Sequence, residues 1–161
     1  QVKYLFPIEK CYSITSLYCS FTDVSDISII SNLSNITKLC LERSSVKNLT
    51  PLAQSFQLQY LNVASSYVDN VSPLARLTRL KALDLSNTPL TDLSPLLKCT
   101  GLKWLHMEDM HPDGWEFLDR LNGVTIEASP SMDGEEGEER PYCRYGHGID
   151  VDLHEWSDSD D

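Results

Sequence analysis

Nowhere in these 161 residues do roughly 18 apolar side chains follow one another, the run a membrane-spanning helix needs, so no membrane span is expected. No basic-then-apolar leader stands at the start, and the first residue is Gln1 rather than methionine. Glycine is scarce, and its seven copies form no loop of the kind that cradles phosphates. Of the four histidines (His106, His111, His147 and His154), none accompanies a serine or cysteine in a nucleophile-elbow context. No catalytic set and no cofactor site are therefore read from the sequence. Basic residues are also few, 13 against 24 acidic ones. Direct nucleic-acid binding is not expected, because its affinity comes from Lys and Arg neutralising phosphates.

The net charge of −11 is unevenly spread. Residues 1–127 carry 13 acidic and 11 basic side chains, a net of −2, whereas residues 128–161 carry 11 and 2, a net of −9. Such a tail solvates a chain or docks on a basic protein surface. The five cysteines match neither a zinc pattern nor a disulfide framework. Cys143, His147, Asp150, Asp152 and His154 also fit no standard metal spacing, and no metal site is expected.

What the chain does have is a period. Leu17, Leu39, Leu61, Leu83 and Leu105 stand 22 residues apart. Three positions earlier lie Ile14, Ile36, Leu58, Leu80 and Leu102, and two positions later Cys19, Leu41, Val63, Leu85 and Met107. Further columns hold Val24, Val46, Val68 and Leu90, then Ile27, Leu49, Val71, Leu93 and Trp115, then Ile30, Leu52, Leu74, Leu96 and Leu118. Only Pro112 interrupts these six columns. The L-x-L segment alternates as a strand does, with its leucines inward. One repeat cannot bury that face alone, so strands of successive repeats are expected to pair in parallel, centred near Tyr18, Cys40, Asn62, Asp84 and His106. Thr50-Pro51, Ser72-Pro73 and Ser94-Pro95 read as a hydroxyl N-cap before Pro at the first helical position. The return leg has room only for 3₁₀ or single α turns.

The pattern L-x-x-L-x-L followed by spaced apolar residues, over roughly residues 2–127, resembles a leucine-rich repeat. A 22-residue unit is similar to that of bacterial internalins and of the leucine-rich regulatory subunit of protein phosphatase 1. The phrases LTPLA, VSPLA and LSPLL also resemble leucine-rich proteins of kinetoplastid protozoa. The resemblance implies an α/β solenoid with a parallel concave sheet and short convex turns. It also implies protein binding on the concave face. One column departs from the family, which favours Asn there; here it reads Thr22, Ser44, Ser66 and Thr88, so a looser turn is expected.

The register also runs backwards, with Val2, Leu5 and Ile8 in the apolar columns and Pro7 in phase with Pro51. The repeat array over 1–127 is thus expected to start in mid-repeat, as the later part of a longer array; the other reading makes residues 1–13 a cap. Downstream, His111-Pro112-Asp113-Gly114 is a turn signal, and Val124-Thr125-Ile126 is expected to close the sheet. Residues 128–161 form an acidic tail that also holds Tyr142, Tyr145 and Trp156, which suits a segment that packs on something.

On the face the strands turn outward, one column reads Ser16, Lys38, Tyr60, Ala82 and Trp104, and the next Tyr18, Cys40, Asn62, Asp84 and His106. A third holds Ser20, Glu42, Ala64, Ser86 and Glu108. Exposed aromatics mark interfaces, so Tyr18, Lys38, Tyr60, Asn62, Asp84, Trp104 and His106 are the expected protein-binding residues. Outward Asp84 is expected to matter little to folding. Cys11, Cys19 and Cys99 fall in core columns, and Cys40 is expected to face out. Unpaired core thiols suit a reducing, intracellular compartment, with secretion left open. Four glycosylation acceptors start at Asn32, Asn35, Asn48 and Asn70, but the last two arise from the repeat and precede Pro. The expected function is a scaffold or regulatory subunit that binds a protein. The alternatives are an extracellular recognition domain and the leucine-rich arm of a larger enzyme.

Overall fold

The structure, a computed structural model, describes Leu5, residues 13–110 and residues 115–128. Val2, Ile8, Cys11, the 111–114 turn, the side chain of Trp115 and the tail beyond 128 lie outside the described residues. Six three-residue strands form one parallel sheet in sequence order: β1 Ser16–Tyr18, β2 Lys38–Cys40, β3 Tyr60–Asn62, β4 Ala82–Asp84, β5 Trp104–His106 and β6 Thr125–Glu127. Leu17, Leu39, Leu61, Leu83 and Leu105 lie directly opposite one another, the register the 22-residue phase demands. Each strand is thus centred on its leucine, one residue earlier than expected. Beyond the strands, the ladder continues through Cys19 N–H to Cys40 C=O and Phe21 N–H to Glu42 C=O, both 2.8 Å.

Alternation explains what is buried. Leu39, Leu61, Leu83 and Leu105 are at most 2% exposed and join the other apolar columns in one continuous core. β6 pairs with β5 after a unit of 21 residues, with Trp104 opposite Thr125, so the sheet closes one residue later than Val124.

The return legs are 3₁₀ helices at Ser28–Asn32, Thr50–Leu52, Ser72–Arg76, Ser94–Lys98 and Trp115–Arg120. The hydroxyl residues before Pro are not the caps. In the three Pro-containing turns the cap positions are Leu49, Val71 and Leu93, none with a side-chain cap bond. Instead Asp26, Asn48, Asn70 and Asp92 each accept, through Oδ1, the N–H of the residue two further on, at 2.8–2.9 Å. These Asx turns begin the first four return legs and satisfy an N–H that the short helix leaves open. Asn48 and Asn70 thus use their side chains structurally, which accounts for their two acceptor motifs.

The Thr/Ser column also has a definite role. Thr22, Ser66 and Thr88 hydroxyls donate to carbonyls three residues back, those of Cys19, Val63 and Leu85, at 2.5–2.6 Å. Beside them Phe21, Arg43, Ser65, Asn87 and Asp109 all take φ between 49° and 57°. A left-handed residue with a side chain costs about 1–2 kcal/mol, less for Asn and Asp. The interstrand bonds donated by Phe21, Arg43, Ser65 and Asn87 hold four of them there.

Candidate concave-face binding site

Parallel pairing stacks the outward residues of each repeat over those of the next, about 4.8 Å apart. All seven residues expected on this face come together around one groove of about 100 Å³, whose floor is the strand backbone at Leu39, Leu61, Leu83 and Leu105. Tyr18 is 58% exposed at one end, whereas Tyr60 and Trp104 are half-buried along it. The Lys38 ammonium lies 5.5 Å from the Tyr60 ring centroid, a cation–π contact along the groove wall.

The polar members are already committed to one another. Asn62 Oδ1 accepts the Ala64 N–H at 2.8 Å, and one repeat on Asp84 Oδ1 accepts the Ser86 N–H at 2.9 Å. Asp84 Oδ2 lies 3.3 Å from His106 Nδ1, and Glu108 Oε1 lies 3.2 Å from His106 Nε2. Ser86 Oγ accepts the Glu108 N–H at 3.0 Å, which ties the Glu108 backbone to the neighbouring repeat. The hydrogen bond to Asp84 outweighs burial, and with Glu108 it raises the His106 pKa to about 9. Burial pushes the Asp84 carboxyl up, but bonds from His106 and Ser86 hold it below its usual value. At neutral pH the cluster is therefore an imidazolium between two carboxylates.

Its contribution to stability has a defined window. His106 titrates higher in the folded chain than unfolded, so its stabilisation is full below about pH 6.5 and fades as pH rises through about 9. Asp84 titrates lower when folded, so its share is lost on acidification. Urea melts at pH 6 and pH 10 are expected to differ by roughly 1–3 kcal/mol more in the wild type than in His106→Gln. Equal differences would locate the alkaline loss elsewhere.

Two residues of the groove escaped the sequence reading. Glu127 lines it, but the last unit is one residue short, so the regular phase pointed to Ala128 instead. Cys40 occupies an outward position yet is only 7% exposed, with its sulfur 2.9 Å from Ser20 Oγ. Its neighbours cover it, which corrects the expectation that it faces solvent. Cys19 and Cys99 are buried as their columns implied, and burial pushes the Cys99 thiol up to about 11. Among the described residues Phe21 and Tyr67 are also more than half exposed, and both lie outside the groove. Among the described residues no group of His, Cys, Asp and Glu could hold a metal ion. No helix among them is long and apolar enough to cross a membrane.

No family model matches the sequence, and no curated protein matches it significantly. Solved structures do. Internalin C2 of Listeria monocytogenes superposes with a TM-score of 0.75 at 28% identity, covering 80% of this chain and 57% of that one. Internalin InlF of the same organism gives 0.75 at 25% identity, covering 80% of this chain and 38% of that one. The functional domain of InlJ, also from L. monocytogenes, gives 0.69 over 85% of this chain and 29% of that one; its 22% identity speaks for the fold alone. This chain therefore spans little more than half of internalin C2 and less of the other two. None of the three lends support to the intracellular setting expected from the thiols. Repeat phase, parallel register, 3₁₀ return legs and these neighbours agree: the chain is a leucine-rich repeat solenoid built on a 22-residue unit.

Proposed function

We propose that this chain is a protein-recognition module, a scaffold or regulatory subunit, that grips its partner in the concave groove. The observation carrying this reading is the groove itself, with Tyr60 and Trp104 in one column, two strands apart. Two strand spacings put these aromatics roughly 10 Å from each other, a span that one partner surface covers. Between their columns and the next, the Asp84–His106–Glu108 cluster presents fixed charge. Asp84 and Asn62 orient the partner by accepting hydrogen bonds on their remaining lone pairs. Half-buried aromatics in a groove are the environment in which interface energy concentrates.

The test is affinity purification of the full-length protein, followed by titration of what co-elutes against variants. Trp104→Ala is expected to weaken binding by at least ~2 kcal/mol, the threshold of a dominant interface residue. Arg76→Ala and Arg79→Ala, outside the groove, should leave affinity unchanged. Unchanged affinity for Trp104→Ala with weakened Arg variants would move the site off the concave face.

Two settings have support of different kinds. Three buried, unpaired thiols suit a reducing compartment. The likeness to internalin structures suits an extracellular recognition domain instead. A leader peptide on the full-length transcript decides for the second.

A further inference from the structure

The cations of the repeat array are not evenly placed. Six of the eleven in residues 1–127 fall between Arg76 and Arg120, and all six lie in the legs that lead into β4, β5 and β6. Lys81 and Lys103 immediately precede β4 and β5, and the Lys103 N–H donates to the Lys81 carbonyl at 2.7 Å. Their backbones are therefore adjacent rungs. Arg76, Lys98 and Arg120 are the last residues of three successive 3₁₀ helices, so they stack in one column. Arg79 stands between the two rows and donates to Gln57 Oε1 of the preceding repeat. Five of the six are exposed and Lys81 is half-buried.

The ion pairs of Lys47 with Asp69 and of His106 with Asp84 and Glu108 involve none of the six. Of the acidic side chains in the same repeats, Asp84 and Glu108 belong to the groove and Asp92 to an Asx turn. Asp109 follows the strand, and Asp119 lies beside Arg120. The result is a basic flank on a chain whose net charge is −11.

We propose that this flank, built from Arg76, Arg79, Lys81, Lys98, Lys103 and Arg120, is the docking surface for the chain's own acidic segment, residues 133–161. Charge complementarity carries the assignment. That segment holds 11 acidic and 2 basic residues, and it includes Tyr142, Tyr145 and Trp156, whose faces suit guanidinium and ammonium groups. Its attachment point fits as well. The segment leaves the solenoid just after β6, beside β5, whose leading edge carries Lys103. A three-residue strand is only about 10 Å long, and a chain can reach up to about 3.3 Å per residue, so the segment is long enough to reach the flank.

The other surfaces suit the tail less. The groove is lined by Asp84 and Glu127, with Glu108 on His106, against Lys38 and a protonated His106, a balance that does not attract acid. An external polyanion must compete with a tethered one, whose effective concentration is on the order of millimolar. Docking on the flank leaves the concave groove open, so this inference does not rest on the function proposed above.

A nitroxide on Cys143 of the full chain tests it, with Cys11 replaced by serine and Cys19, Cys40 and Cys99 protected by burial. Amide signals of Arg79, Lys81, Lys98 and Lys103 are expected to broaden at about 0.1 M salt. The broadening should vanish near 1 M, where the screening length falls from ~10 to ~3 Å. It should vanish also in Arg79→Glu/Lys98→Glu/Lys103→Glu, whose unchanged circular dichroism would show that it folds. Three results overturn the proposal: no broadening at low salt, broadening centred on Tyr60, Asn62 and His106, or broadening only in mixtures of labelled and isotope-enriched molecules. The last assigns the contact to a second copy.

Discussion

Leu83→Ala is expected to destabilise the chain by about 2–5 kcal/mol, the range for truncating a large buried side chain. Leu83 is 2% exposed, lies in the middle of β4 and pairs with Leu61 and Leu105 on the flanking strands. The cavity would open in the middle of a core only one side chain deep at each strand. Neighbouring repeats cannot collapse into it without shifting the ladder that fixes their own register. Each repeat draws its stability from the interfaces on both sides, so the loss is expected to spread to β3 and β5. Urea melts read the total, and hydrogen exchange reads the spread. A loss below 1 kcal/mol would show that the inward column is not what holds the repeats together.

The neighbouring position sharpens the test. Asp84 points the other way, and alternation alone made Asp84→Ala look neutral. The structure corrects this, since Asp84 accepts from Ser86 and pairs with His106. Removing it is expected to cost about 1–2 kcal/mol, with the loss confined to the groove.

Gly101→Ala is the second large effect. A Cβ at this position would lie 2.1 Å from the Thr78 carbonyl oxygen and 3.3 Å from that of Leu80. Backbone of the preceding repeat therefore fills the space, and no side-chain rotation relieves the clash. The equivalent positions Asn35, Gln57 and Arg79 all carry side chains, so the close approach belongs to the junction between the fourth and fifth units. Separating those units strains contacts between the 3₁₀ helices Ser72–Arg76 and Ser94–Lys98, which pack against each other. We expect a loss of about 3 kcal/mol, the upper end for overpacking, because backbone rather than a side chain must move. Gly123→Ala is the control. Gly123 has φ +77° but nothing within 4 Å, so alanine there meets only the backbone preference, about 1 kcal/mol. Equal losses at the two glycines would put the effect in backbone freedom rather than contact.

The sheet and its core were legible because a 22-residue phase fixes inward and outward positions together. Once Leu39, Leu61 and Leu105 were in register, so were Lys38, Tyr60 and Trp104. What escaped depends on features that do not repeat. Glu127 was hidden by the shortened last unit, and the burial of Cys40 by side chains from adjacent strands. The Asx turns were legible in principle, since Asp26, Asn48, Asn70 and Asp92 form a column. In sequence that column shows itself as two glycosylation acceptors, at Asn48 and Asn70, and the hydroxyls beside it have the form of caps. The bonds from His106 to Asp84 and Glu108 needed side-chain geometry, because three outward polar residues in neighbouring columns look the same whether paired or solvated.

The order of the sheet, with every strand beside its immediate successor, also bears on how such a chain changes over generations. No strand skips a neighbour, so duplicating one 22-residue unit breaks no long-range pairing and adds one rung. Each added rung lengthens the groove by about 4.8 Å and leaves the others in place. Recombination between repeats therefore alters the size of what can be recognised in fixed increments, while point changes in the outward columns alter its chemistry. Length and selectivity are separately adjustable in this architecture.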